Sequence, residues 1–254
     1  MRIARFSTAT SGPTFGVLER DTVATLAGHP FGELRFTGER LDLAAVRLLA
    51  PIVPSKIVAV GKNYREHAAE MGGETPAAPL LFLKPSTSVI GPGDPIQYPP
   101  SSSRVDFEGE LAVVMGRLCR DVPESAALAH VLGYTCANDV TARDQQASDG
   151  QWTRAKGYDS FCPLGPWLET ELDPRAVTVS TSVGGQQRQH GSAADLVFDV
   201  AHLISYIRRV MTLLPTDVIL TGTPAGVGPL QVGDEVSVTV SGIGSLTNRV
   251  IARG

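Results

Sequence analysis

Long apolar runs are missing from this chain of 254 residues. No stretch approaches the ~18 consecutive apolar residues that a membrane span requires. The opening segment "MRIARFSTATSGPTFGVLER" has no apolar core of the kind a secretory leader carries, so none is expected. Cysteine is scarce: Cys119, Cys136 and Cys162 are odd in number, widely spaced and without a CxxC. That argues against a disulfide framework and a zinc–thiolate site, and it fits a reducing cytoplasm. Basic runs stop at Arg208-Arg209, and 22 Lys and Arg against 26 Asp and Glu leave a net charge of −4, which excludes a nucleic-acid footprint. Repeats and low-complexity segments are absent as well. The glycine-rich "TGTPAGVGP" (221–229) lacks the Gly-Lys-Ser/Thr ending of a phosphate loop, and "GIGSLT" lies too near the C-terminus to open a dinucleotide-binding helix. The expectation is a cytoplasmic globular protein with neither nucleic acid nor membrane as a partner.

What the chain does have is punctuation. Gly at 26 and Pro at 18 separate short apolar runs, a pattern of many short strands joined by turns. Residues 1–51 read as a small N-terminal domain with strands in "MRIARF", "FGVLE" and "TVATLAG" and a strand or short helix in "LDLAAVRLLAP". "APIVPSK" (50–56) carries two prolines and reads as a linker into a second domain, 52–254. There "KIVAVG" reads as a buried strand and "NYREHAAEMGG" as a helix ending at Gly72-Gly73. "GELAVVMG", "HVLGYTCANDV", "AVTVSTSVGG", "DVILTGTP" and "DEVSVTVSGIG" are further strands. One long amphipathic helix is predicted after a Ser192 cap, with Leu196, Val200, Leu203 and Ile207 near the helical period. The fold class is α+β with a large mixed β core, not a doubly wound sheet.

Three acids stand two apart in "SRVDFEGELAVVMG": Asp106, Glu108 and Glu110. On a strand, Glu108 and Glu110 point the same way. Two like charges ~4 Å apart repel by about 4 kcal/mol at an effective dielectric near 20, so a half-buried pair requires a proton or a cation. Carboxylates without His or Cys select Mg²⁺, Mn²⁺ or Ca²⁺. The alternative is a solvated strand face. Asp139 ends the apolar strand "VLGYTCAND", an ordinary position for an acid. Arg143 and Gln146, three apart, can clamp a carboxylate or simply begin a surface helix. His67 and Glu70, also three apart, are either a surface pair or a general base oriented by its acid.

Taken together and in order, "VGKNYREHAAEM", "FEGELAVVMG", "NDVTARDQQ", "QWTRAKGYDSFCPLGPW", "DVILTGTPAGVGP" and "GDEVSVTVSGIGSLTN" resemble the fumarylacetoacetate hydrolase family over residues 52–250. The likeness is greatest to members described as 2-hydroxyhepta-2,4-diene-1,7-dioate isomerases, acylpyruvases and fumarylpyruvate hydrolases. The resemblance implies a mixed β-roll, barrel-like catalytic fold, a homodimer, and Mg²⁺, Mn²⁺ or Ca²⁺ held by Glu108, Glu110 and Asp139. It implies catalytic roles for His67, Glu70 and Lys156 and substrate contacts at Arg143, Gln146 and Thr223. Asp106 is not a family ligand and is expected behind the site or at the surface. The implied function is metal-dependent action on a 2-oxo or 2,4-diketo acid through a pyruvate-type enolate, first of all C–C bond hydrolysis of an acylpyruvate. Dienoate isomerisation and oxaloacetate-type decarboxylation in aromatic catabolism are the alternatives, and a catalytically silent, metal-stabilised dimeric scaffold is a remote one. The polar segment 62–75 is expected to be a lid that delivers the dyad.

Overall fold

The computed structural model describes every residue of the chain except Met71 and Gly73, so the end expected for the "NYREHAAEMGG" helix and part of the expected lid lie outside the described residues. The strands form sheets of twelve, three and five strands, with short helices between them, and no sheet closes into a barrel among the described residues. At the centre is Gly109–Met115, all of whose residues are buried. It pairs antiparallel with Val131–Asn138 on one side and Val218–Leu220 on the other. Alternation sends Leu111, Val113 and Met115 into one apolar cluster and Ala112 and Val114 into another, so both faces are covered. That explains why "LAVVM" reads as an unbroken apolar run instead of alternating.

The large sheet continues outward through Ile57–Gly61, parallel to Val218–Leu220, to Leu80–Lys84 at its edge. On the other side it runs into the N-terminal strands without interruption. Arg2–Ser7 pairs with Cys162–Glu169, aligning Arg2 with Glu169 and Ile3 with Leu168. The strand Phe36–Asp42 was not expected, because six of its seven residues are exposed and it shows no apolar alternation. The proline-bearing stretch 50–56 is packed rather than free, with Ala50 and Ile52 buried. In the five-stranded sheet the hairpin between Thr178–Val183 and Gln186–Ser192 turns on Gly184 and Gly185, both at positive φ, as a tight two-residue hairpin turn requires.

The long helix is shorter than expected. Ser192 caps a 3₁₀ turn, Ala193–Asp195, and the α-helix proper is Val200–Val210, capped by Asp199, which accepts from His202 N at 2.9 Å. The residues between cannot be helical because Asn63 holds them. Its side chain accepts from Phe198 N and donates to Phe198 O, and its carbonyl accepts from Val197 N. Val200, Leu203, Ile204 and Ile207 then pack into the cluster beneath Leu111 and Val113. No helix among the described residues is long and apolar enough to cross a membrane. Leu203→Ala removes a fully buried side chain from this layer and is expected to cost about 2–5 kcal/mol, read as a lower midpoint in denaturant unfolding at unchanged slope.

Candidate active site

Strand register assembles the acids. Gly109 aligns with Asn138, which places Asp139 beside Glu108, and Asp139 N donates to Glu108 O at 2.8 Å. Asn138 fixes the junction from below by accepting from Glu108 N at 3.0 Å. Glu108 sits in the break between Val105–Phe107 and Gly109–Met115, where the chain passes from the three-stranded to the twelve-stranded sheet. Glu108, Glu110 and Asp139 are buried, and one carboxylate oxygen from each lies within 4.8 Å of the others. Buried carboxylates this close repel strongly, and cations answer part of the charge. Lys156 Nζ donates to Glu108 at 2.8 Å and to Asp139 at 2.6 Å. Lys84 Nζ reaches the other Asp139 oxygen at 2.5 Å, and Arg143 donates to Glu108 at 2.6 Å.

The compensation is uneven. Burial would raise Glu108, but Lys156, Arg143 and His67 outweigh it and hold its carboxyl well below the usual carboxylate range. Burial, then Asp139 and Glu108, push Glu110 far above that range. Against them stand the charge of Lys156 and a hydrogen bond from the Gly222 N–H, 2.6 Å away. Gly222 has φ +101 and a Cβ there would meet Asn63 Cβ at 2.8 Å, so the approach requires glycine. Lys156 stays charged despite burial, because Asp139 and Glu108 raise it. A buried all-oxygen donor set in which Glu110 makes no ion pair among the described residues fits a hard divalent ion such as Mg²⁺, Mn²⁺ or Ca²⁺.

The triad forms the floor of a pocket of about 360 Å³. His67, from the short helix Arg65–Glu70, lines it and bonds through Nδ1 to Glu70 at 3.2 Å. Glu70 also accepts from Gly226 N at 3.1 and 3.2 Å, which fastens the helix to the 221–229 loop. Phe82 and Trp152, edge to face at 5.2 Å, make an apolar wall, and the Lys156 ammonium lies 5.0 Å over the Phe82 ring. Arg143, Gln146 and Thr223 complete the lining. His67, Glu108, Glu110, Asp139, Arg143, Gln146, Lys156 and Thr223 therefore line one cavity, while Glu70 stands behind His67, outside the lining.

Asp106 does not fit a surface position. It is fully buried, accepting from Arg104 at 2.8 and 3.1 Å and from Arg143 Nε at 3.0 Å. Arg143 further donates to Gln146 at 2.6 Å, so Asp106, Glu108 and Gln146 together engage Nε and both terminal nitrogens of its guanidinium. Two residues were missed. Lys84 ends an apolar strand in "LLFLKP" just as Asp139 does, and that shared position was the available signal. Gln189 lies in the polar strand "QQRQHGS", where nothing marks it. Buried, it accepts from Gly109 N at 2.9 Å and donates to Thr223 Oγ1 and Pro224 O at 2.7 Å each. Thr223 in turn donates to Gly109 O at 2.8 Å, so the backbone between the two glutamates is held from both sides.

A β-rich fold that buries convergent carboxylates under a pocket of substrate size defines a site suited to an enzyme working with a hard divalent cation. The family profile described as fumarylacetoacetate (FAA) hydrolase C-terminal matches residues 56–251, and one described as Rv2993c-like, N-terminal, matches residues 1–51. The chain belongs to the fumarylacetoacetate hydrolase family, whose members are enzymes. It is 52% identical over 264 residues to Protein Rv2993c of Mycobacterium tuberculosis, covering 100% of this chain and 99% of that one. It is similar to the structures of a 5-carboxymethyl-2-hydroxymuconate delta-isomerase from Mycobacterium smegmatis (52% identity, TM-score 0.94, 100% of both chains) and a 2-hydroxyhepta-2,4-diene-1,7-dioate isomerase from Mycobacterium marinum (50%, 0.92, 100% and 99%). More distant are oxaloacetate tautomerase YisK of Bacillus subtilis (42% over 224 residues, 82% of this chain and 74% of that one) and a maleylpyruvate hydrolase from Sphingobium solved with manganese(II) and pyruvate (32%, TM-score 0.82, 100% of both).

The raised Glu110 carboxyl sets a pH dependence. Without a cation its contribution to stability is present at low pH and is lost as pH rises through its raised value. Cation binding must displace that proton, so stabilisation by Mn²⁺ is expected to grow with pH and to release protons in calorimetry. A thermal shift independent of pH, with no proton release, would contradict the assignment. Glu108→Ala is expected to abolish Mn²⁺ binding in the same titration.

Proposed function

We propose that this chain is a divalent-cation-dependent enzyme that moves a proton at C3 of a small 2-oxo acid, tautomerising or isomerising it. The observation that carries this reading is the pairing, in one small pocket, of a buried carboxylate triad with His67, which bonds to Glu70 behind it. Held by Glu108, Glu110 and Asp139, a divalent cation would supply Lewis acidity toward the carboxylate and 2-oxo oxygens of the substrate. Lys156 places a fixed ammonium beside the negative charge that develops as the enolate forms. Glu70 orients the imidazole of His67, and Gly226 N–H keeps Glu70 in place. In tautomerisation a proton leaves the C2 enol hydroxyl and another is delivered to C3, and His67 is the group facing the pocket that can carry it. Phe82 and Trp152 keep that side of the cavity dry.

Hydrolysis of an acylpyruvate is the second reading, and it uses the same parts. His67 would take a proton from water, the water would add to the distal carbonyl, the C3–C4 bond would break, and C3 would be protonated. The maleylpyruvate hydrolase that shares this fold favours it. Isomerisation and tautomerisation rank first because the relatives with such names stand at 40–52% identity, against 32–39% for those named as hydrolases.

The test couples binding to turnover. Mn²⁺ is expected to raise the melting temperature over EDTA, and oxalate, an enolate mimic, to raise it further, since a ligand at a hundred times its Kd adds about 2.7 kcal/mol. Enol-to-keto conversion of oxaloacetate and release of pyruvate from acylpyruvates then separate the two readings. Glu70→Gln is expected to lower kcat by about 10²–10⁴-fold in whichever reaction is found. A Mn²⁺ shift without any oxalate effect would overturn both readings in favour of a silent scaffold.

A further inference from the structure

The cations around the triad are already neutralised. Lys156 is held by Glu108 and Asp139, Lys84 by Asp139, and Arg143 by Asp106 and Glu108. One basic residue lining the same pocket is different: Lys62 makes no ion pair among the described residues, although the floor beside it is rich in acids. Its backbone is also unusual, with φ +55, a left-handed conformation that is strained for a non-glycine residue and persists only where the surroundings impose it. The surroundings do impose it. Gly61, just before, lies so close to Trp152 that a Cβ would meet the indole at 2.8 Å. Asn63, just after, is fully buried and tied to Phe198 and Thr221. Lys62 is thus pinned on both sides at the rim of the pocket, before the helix that carries His67, while its four-carbon stem stays free to aim the ammonium.

We infer that Lys62 reads a second carboxylate, at the far end of the substrate, and so makes this site selective for 2-oxo dicarboxylates over 2-oxo monocarboxylates. The inference rests on the 2-oxo acid reading above and adds a specificity residue to it. Charge balance points the same way. Four buried carboxylates, Asp106, Glu108, Glu110 and Asp139, are met by Lys84, Lys156, the nearly buried Arg143 and Arg104. Adding a divalent cation and Lys62 gives the loaded pocket a positive surplus that a dianionic ligand answers more fully than a monoanion. Arg143 cannot take this role without giving up Asp106, Glu108 or Gln146.

The experiment compares two unreactive probes in the Mn²⁺-loaded protein: 2-oxoglutarate and 2-oxopentanoate, the same chain without the second carboxylate. Wild type is expected to bind 2-oxoglutarate more tightly by about 10–100-fold, the worth of one hydrogen bond to a charged group. Lys62→Met is expected to erase that preference by weakening 2-oxoglutarate alone, and Lys62→Arg to keep most of it. Neither variant changes backbone strain, and 2-oxopentanoate affinity reports whether the pocket is intact. Equal affinity for the two probes in wild type, or equal weakening of both in Lys62→Met, would overturn the role of Lys62 while leaving the 2-oxo acid reading standing. Failure of wild type to bind either probe would overturn that reading itself.

Discussion

The mutual repulsion of Glu108, Glu110 and Asp139 is the constraint around which this molecule is arranged. Three carboxylates within 4.8 Å, all out of water, constitute a state that an unassisted protein interior does not tolerate. The chain meets it with two fully buried lysines and an arginine drawn from three different elements: the edge strand Leu80–Lys84, the helix Thr153–Lys156 and the start of the helix Arg143–Ser148. Even so, Glu110 makes no ion pair among the described residues, and its carboxyl is driven far above the ordinary range by burial and by its neighbours. A divalent ion would resolve the imbalance, and this is why the donor set fits one. The negative charge at the mouth of an apolar strand is buried rather than a solvated edge.

Holding such a site requires backbone stiffness, and the hydrogen-bond network supplies it. Asn138 and Gln189 grip the chain on either side of Glu108, and Thr223 grips Gly109. Asn63 ties the start of the dyad helix to Phe198 and Thr221, one residue from the Gly222 N–H that serves Glu110. These are neutral amides and hydroxyls, each satisfied, and they position charged groups without adding charge. The dyad is fastened more lightly, by Glu70 on one backbone N–H at the partly exposed rim. The floor of the site is thus braced by several hydrogen bonds, and Glu70 of the dyad by its bonds to His67 and to one backbone N–H.

Arg143 shows how one residue's partners settle another's task. With its donors committed to Asp106, Glu108 and Gln146, it acts first as a strut that keeps Glu108 ionised. Asp106, buried behind it, fixes the guanidinium plane in a two-point contact shared with Arg104. A free positive charge at the rim, on Lys62, therefore matters more for recognising a distant group on the ligand than the more conspicuous arginine does.

Much of this was legible from the sequence. Two glutamates two apart before "LAVVM", an aspartate ending "VLGYTCAND" and a His–Glu pair three apart are local patterns, and local geometry places such side chains on one face whatever the rest of the chain does. The strands of the core were legible for the same reason, since burial on both faces leaves continuous apolar runs. What stayed hidden depends on partners distant in sequence. Leu196 left the expected helix because Asn63, 133 positions earlier, claims the neighbouring backbone. Phe36–Asp42 is a strand because Thr22–Leu26 lies beside it, and Asp106 is buried because Arg143 covers it. Gln189 carries no local mark at all, and Lys84 only its place at the end of an apolar strand. The sequence by itself marked which residues are candidates for the chemistry, because motif order and short spacing are local properties of the chain. Only the tertiary structure decided which charges are already paired and which remain free, because an ion pair is set by distance in space and not by distance along the chain.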